Sequence, residues 1–178
     1  MWEESNLKNK ILLLLGVLSF LMLTGCTFGG RAIMFSSDDS NAERRMKQII
    51  SALKEQNKDA IKELFSEKAT DEAENFDQGI DNLFDYFQGN VESWDKDSLN
   101  SEGSNQYGYR SVLIHSYYIV TTDQAKYLFY IADYSKNTID PDNQGVYTLS
   151  VIKAEDDEPE SGYIWEDDMI PGVCVPTK

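Results

Sequence analysis

Few side chains in this sequence have the type and spacing to do chemistry. His115 is the only histidine, which excludes multi-histidine metal centres and leaves too few imidazoles for a zinc site. It lies in "YGYRSVLIHSYYIVT" (residues 107–121), which is joined through "TDQ" to "AKYLFYIADYS" (125–135). Both segments are rich in β-branched and aromatic residues, so they read as the two strands of a hairpin. A two-residue loop at Thr122 and Asp123 sets His115 opposite Tyr130, with Tyr117 and Leu128 on the same face one pair nearer the turn. An imidazole beside a phenol, with Asp133 close by, is a candidate for acid–base work. The same pair also serves as an ordinary hydrogen bond in a half-buried sheet. "DPDNQG" (140–145) opens like a calcium loop, with oxygens at Asp140 and Asp142 and a glycine in sixth place. It then departs from one: Gln144 stands fifth, and Val151 stands twelfth where a bidentate glutamate is needed. Asp-Pro and Asn-x-Gly are also common turn chemistry. No glycine-rich phosphate loop or nucleophile elbow occurs, so no cofactor is implied.

The two cysteines, Cys26 and Cys174, have different surroundings. Cys26 ends a three-part start: a polar stretch closing on Lys8 and Lys10, the uncharged run "ILLLLGVLSFLML", then Thr24 and Gly25. A positive flank, a short apolar run and a small-residue exit form an export signal. As a helix the thirteen-residue run rises only about 20 Å, against a hydrocarbon core of roughly 30 Å. Leu23-Thr24-Gly25-Cys26 resembles the bacterial lipobox, which implies cleavage before Cys26 and lipidation of its sulfur. A diacylglyceryl group supplies the two chains that stable anchoring requires. The expected location is therefore the outer face of the plasma membrane, bound to the bilayer through acylated Cys26. Cys174, in "PGVCVP", is left without a disulfide partner and reads as a small packed residue.

The elements that must position these residues follow from periodicity. Residues 1–25 read as the signal peptide, 26–38 as a flexible tether rich in Gly, Ser and Asp, and 39–178 as one α+β domain. Ser40 and Glu43 stand at capping-box spacing, before a stripe of Met46, Ile49, Ile50 and Leu53. Asn57 caps a second helix carrying Ile61, Leu64 and Phe65. A third runs from about Asp71 to Gln88, with Phe76, Ile80, Leu83, Phe84 and Phe87 on one face and Gly89 as its stop. Strands follow: a short one near Val91 to Trp94, the hairpin, "GVYTLSVIKA", and a last one at "SGYIWE". Helices succeeded by an antiparallel meander place N-terminal helices on one face of a curved sheet. Both alternating sets of the hairpin are apolar, which calls for a cover on each face: helices on one, and a partner, second protomer or ligand on the other.

The chain resembles an uncharacterised family of Gram-positive lipoproteins, on its lipobox, its tether, "ISALKEQNKDAIKELFS" and "DPDNQGVYTLSVIK". That family is similar in turn to the nuclear-transport-factor-2-like, or cystatin-like, superfamily, in which a curved sheet wraps a long helix. The resemblance implies a fold and no reaction, since the superfamily hosts both enzymes and binding modules. The net charge of −15 argues against nucleic acid as a partner. It leaves a soluble surface or a cationic partner as its explanation. The expected role is a non-catalytic binding or interaction domain for a protein, a peptide or a small apolar molecule, with a homodimer through a sheet face as one arrangement. The alternatives are a small hydrolase or isomerase using His115 with Tyr130 or Asp133, and an acidic immunity-type protein that sequesters cationic peptides.

Overall fold

The computed structural model describes residues 28–156 and 169–176, with side chains from Ser37 onward. Cys26, the signal segment and the strand expected at "SGYIWE" lie outside the described residues. The chain divides into two compact units, Met1–Ser37 and Asp38–Lys178. Among the described residues, no helix is long and apolar enough to cross a membrane.

The architecture is α+β: among the described residues, four helices lead into a five-stranded sheet in the order β1 to β5. Helix α1 (Phe28–Lys54) carries the expected stripe, and Met46, Ile49, Ile50 and Leu53 are all buried. It begins at Phe28 and runs through Ser40, so residues 28–38 are helical where a flexible tether and a capping box were expected. Once a periodic segment has nucleated a helix, each added residue costs little, and neighbouring Ser and Asp are carried along. Helix α2 (Lys58–Lys62) starts as expected, with the Asn57 side chain accepting from the Ala60 N–H at 3.0 Å. The single long third helix is instead two, α3 (Glu67–Glu72) and α4 (Phe76–Tyr86), parted where Ala73 turns extended. Ser66 caps α3. Ile80, Leu83 and Phe84 of α4 are buried, and Phe87 follows as its C-terminal cap. Gly89 does have a left-handed φ of +92°, but it lies beyond that cap.

Strands β1 (Val91–Gln106), β2 (Tyr109–Thr122), β3 (Lys126–Asn137) and β4 (Gly145–Lys153) form the meander, and β5 (Gly172–Cys174) lies parallel to β4. β1 is far longer than the four residues expected. Beyond Trp94 it is largely polar, because it is an edge strand whose ladder to β2 does not depend on apolar alternation. Its charges and two register shifts suit an edge that must not recruit other strands. The β1–β2 turn is Tyr107-Gly108, both with positive φ, the left-handed pair that a two-residue hairpin needs. The β2–β3 turn is longer than two residues, with the Thr122 N–H donating to the Ala125 carbonyl at 2.9 Å. The register therefore moves by two: Tyr117 faces Tyr130, and His115 faces Ala132. A shift of two leaves every side chain on its expected face.

The helices cover the face bearing Tyr118, Val120, Phe129, Ile131, Leu149 and Val151, which forms the main core. Two ion pairs tie α1 to the sheet, Arg45 with Asp133 and Asp39 with Lys96. The opposite face carries Leu113, Tyr130, Ala132 and Ile152, with Met169 packed on them. These four are buried within the chain itself, so burial at the centre of this second apolar face needs no other protomer.

Candidate functional site

Strand β2 presents His115, and the diagonal neighbour Tyr130 on β3 reaches it, Nδ1 to Oη 2.7 Å. The rings stack at 14° with centroids 6.0 Å apart, and Tyr117 lies 5.0 Å from Tyr130 on the other side. Glu102 Oε1 is 3.8 Å from His115 Nε2, but its side chain is 69% exposed, so water screens the attraction. The sequence pattern puts His115 and Tyr130 on one face as direct partners; they share that face but are diagonal neighbours, and the pattern leaves open which face it is. That face is the one opposite the helices.

Asp133 is not part of this group. Neighbouring strand residues point to opposite faces, so Asp133 turns toward α1 while Ala132 lies opposite His115. Its carboxylate accepts from Arg45 Nε at 2.8 Å and from Nη2 at 3.2 Å, a two-pronged charge-assisted clamp. A carboxylate held in this way is a tie between α1 and β3.

Of the two calcium candidates, Asp140 ties the loop to a helix. Asp140 accepts from Lys68 Nζ at 2.9 Å, and this bond raises the lysine pKa. Asp142 is exposed in the short 3₁₀ turn Pro141–Asn143. Asn143 is buried against Ser66, so "DPDNQG" fastens the β3–β4 connection to the start of α3. Among the described residues no three His, Cys, Asp or Glu side chains are placed to share a metal ion. Cys174 sits on β5 beside Ser150, and burial pushes its thiol pKa up, which keeps it protonated and inert at neutral pH.

One feature was invisible in the sequence. An open groove of about 940 Å³ runs between the α3–α4 connection and the segment around β5. Its lining includes the polar Glu72, Glu74 and Asn75 and the apolar Phe76, Val173 and Val175. Close backbone packing builds it. A Cβ on Gly79 of α4 would meet the Val173 carbonyl oxygen at 3.0 Å. A Cβ on Gly172 would meet that of Ala73 at 2.9 Å, and Gly172 has a φ of +91°. Larger residues at these points would push β5 away from α4. Glu72 accepts from the Tyr147 hydroxyl at 2.5 Å, and burial, with Glu72 adding to it, pushes that phenol up to about 12.

Among curated proteins none matches the chain. A family profile described as "Domain of unknown function (DUF5104)" matches residues 48–154. That span runs from the apolar stripe of α1 to just beyond the end of β4, more than half of the chain, and stops short of β5. The protein therefore belongs to the DUF5104 family.

Proposed function

We propose that this protein is a lipid-anchored binding module on the outer face of the plasma membrane, exported by residues 1–25 and acylated at Cys26. Its domain is of the nuclear-transport-factor-2-like type, and its role is to hold a ligand rather than to transform one. The observation that carries this reading is the division of labour in the structure. The sequence-level acid–base candidates are engaged with each other or with Arg45, on opposite faces of the sheet. An open groove with a partly apolar lining lies elsewhere, at α4 and β5. Pockets of several hundred cubic ångströms that mix apolar floors with a few polar groups are the usual shape of ligand sites.

Two experiments test the two halves of the proposal. For location, Cys26→Ala is expected to abolish labelling by an alkyne fatty acid and to leave an uncleaved precursor. Normal processing and labelling of that variant would remove the lipoprotein reading. For role, the purified protein is offered panels of esterase, peptidase and isomerase substrates. His115→Ala is expected to change stability by about 1 kcal/mol and to remove no turnover. Turnover that disappears with His115 would make the protein an enzyme.

A further inference from the structure

We propose that the groove between the α3–α4 connection and β5 binds a short peptide segment that combines basic and bulky apolar residues. This rests on the binding-module reading and names the ligand class for it. Three chemistries meet in the groove. The apolar lining comes from Phe76 and Val173, both half-buried, with Val175 buried behind them at 8%, and Ile170 is 57% exposed. An apolar side chain laid there would remove both surfaces from water, at about 25 cal/mol per Å². The rim carries Glu72 and Glu74, both exposed, in a chain of net charge −15. The groove also touches the first turn of the eleven-residue helix α4, whose N-cap residue Asn75 makes no side-chain capping bond. Backbone N–H groups at an uncapped helix start seek an acceptor.

A metal ion or a polyamine answers only the acidic rim. An acidic apolar molecule answers the apolar lining and the amides but is repelled by Glu72 and Glu74, and a neutral one leaves both carboxylates without an opposite charge. A basic peptide answers all three: its carbonyls meet the amides, its apolar side chain meets the apolar lining, and its ammonium or guanidinium groups meet Glu72 and Glu74. The general negative field of the protein speeds the encounter of such a peptide, and the groove gives it a place to stay.

The test uses the full-length lipoprotein in phosphatidylcholine nanodiscs, with empty nanodiscs as the blank. The probe is a fluorescein-labelled hexapeptide alternating lysine and valine, followed by anisotropy at low and at physiological salt. Its counterpart alternating glutamate and valine serves as the control. The lysine peptide is expected to bind and to weaken with salt, and the glutamate peptide is expected not to bind. Glu74→Gln combined with Ile170→Ser is expected to weaken binding about tenfold, as loss of a central contact does. Glu92→Gln with Asp97→Gln, which removes exposed charge from β1, is expected to leave it within about twofold, as screened distant charge should. Matching melting curves establish that all variants fold. A photo-crosslinking version of the peptide is expected to mark residues 72–79 and 169–176. Equal weakening by both variant pairs, crosslinks confined to other surfaces, or no binding at low salt would each overturn the groove as a peptide site. None of these outcomes depends on turnover, so the binding-module reading stands or falls separately, on the His115→Ala assay.

Discussion

The contact between Arg45 and Asp133 shows how a chemically suggestive residue becomes structural. Asp133 is 6% exposed and Arg45 17% at the side-chain level, so both have given up most of their hydration. Such a pair stabilises only while both members are present. Asp133→Asn keeps the shape and leaves the guanidinium without its charge partner. The expected cost is about 3 kcal/mol, a fall in Tm of roughly 10 °C for a domain of this size, read by thermal melting. The double variant Arg45→Met with Asp133→Leu should recover most of that loss, because buried ion pairs replaced by apolar residues are often neutral. A single variant that melts like the parent would show that the clamp is an idle surface contact. His115 and Tyr130 differ in kind: they share a single hydrogen bond between a ring nitrogen and a phenol, and its loss is correspondingly small.

At the scale of elements, α4 carries the packing of the helical layer on the sheet. Phe84 is 7% exposed within the main core, and Lys58 Nζ lies 5.8 Å from its ring centroid. Phe84→Ala deletes a large apolar side chain from a site that collapses only in part, and is expected to cost about 3–4 kcal/mol. Chemical denaturation checks this, and a midpoint within error of the parent would place the α4 stripe outside the core. The stripe itself was legible because it recurs at helical spacing. The break between α3 and α4 was not, because nothing in the apolar pattern of residues 71–88 interrupts a continuous helix. The β1–β2 turn was also hidden. Tyr107 at a φ of +51° is costly for an L-residue with a large side chain, about 1–2 kcal/mol, and "Tyr-Gly" is not a usual signal for this turn. The long polar strand before it shows the same blindness, since its stability comes from pairing with β2 and not from its own composition.

For the whole molecule the dominant quantity is charge. At neutral pH the net −15 makes copies repel one another, and that repulsion vanishes near the isoelectric point of about 4.3. Two carboxylates set the stability side of the same titration. The Lys58 hydrogen bond holds Asp81 below the usual aspartate range. Asp123 is held low by accepting from the Asn90 side chain and backbone N–H. A folded pKa below the unfolded value contributes stability that is present above about 3.9 and is lost as pH falls through the folded pKa. Tm is therefore expected to hold between pH 7 and about 5 and to decline below about 4, while light scattering peaks near the isoelectric point. A Tm that rises continuously down to pH 3 would show that relief of repulsion outweighs these bonds.

The sequence by itself determined which side chains share a face, because that depends only on the local periods of helix and strand. It placed the α1 and α4 stripes, the Asn57 cap, the order of helices before strands, and His115 on the same side as Tyr130. An error of two residues in the hairpin register left all of this intact. Tertiary structure alone decided which sheet face the helices cover, since both faces of the hairpin are apolar and the sequence offers no preference. It alone paired Asp133 with Arg45, 88 positions away, on the face opposite His115. It also built the groove, whose walls come from the α3–α4 connection and from β5, segments far apart in the chain. Those outcomes depend on long-range packing, and no local pattern of residue types encodes a contact whose other half lies so distant.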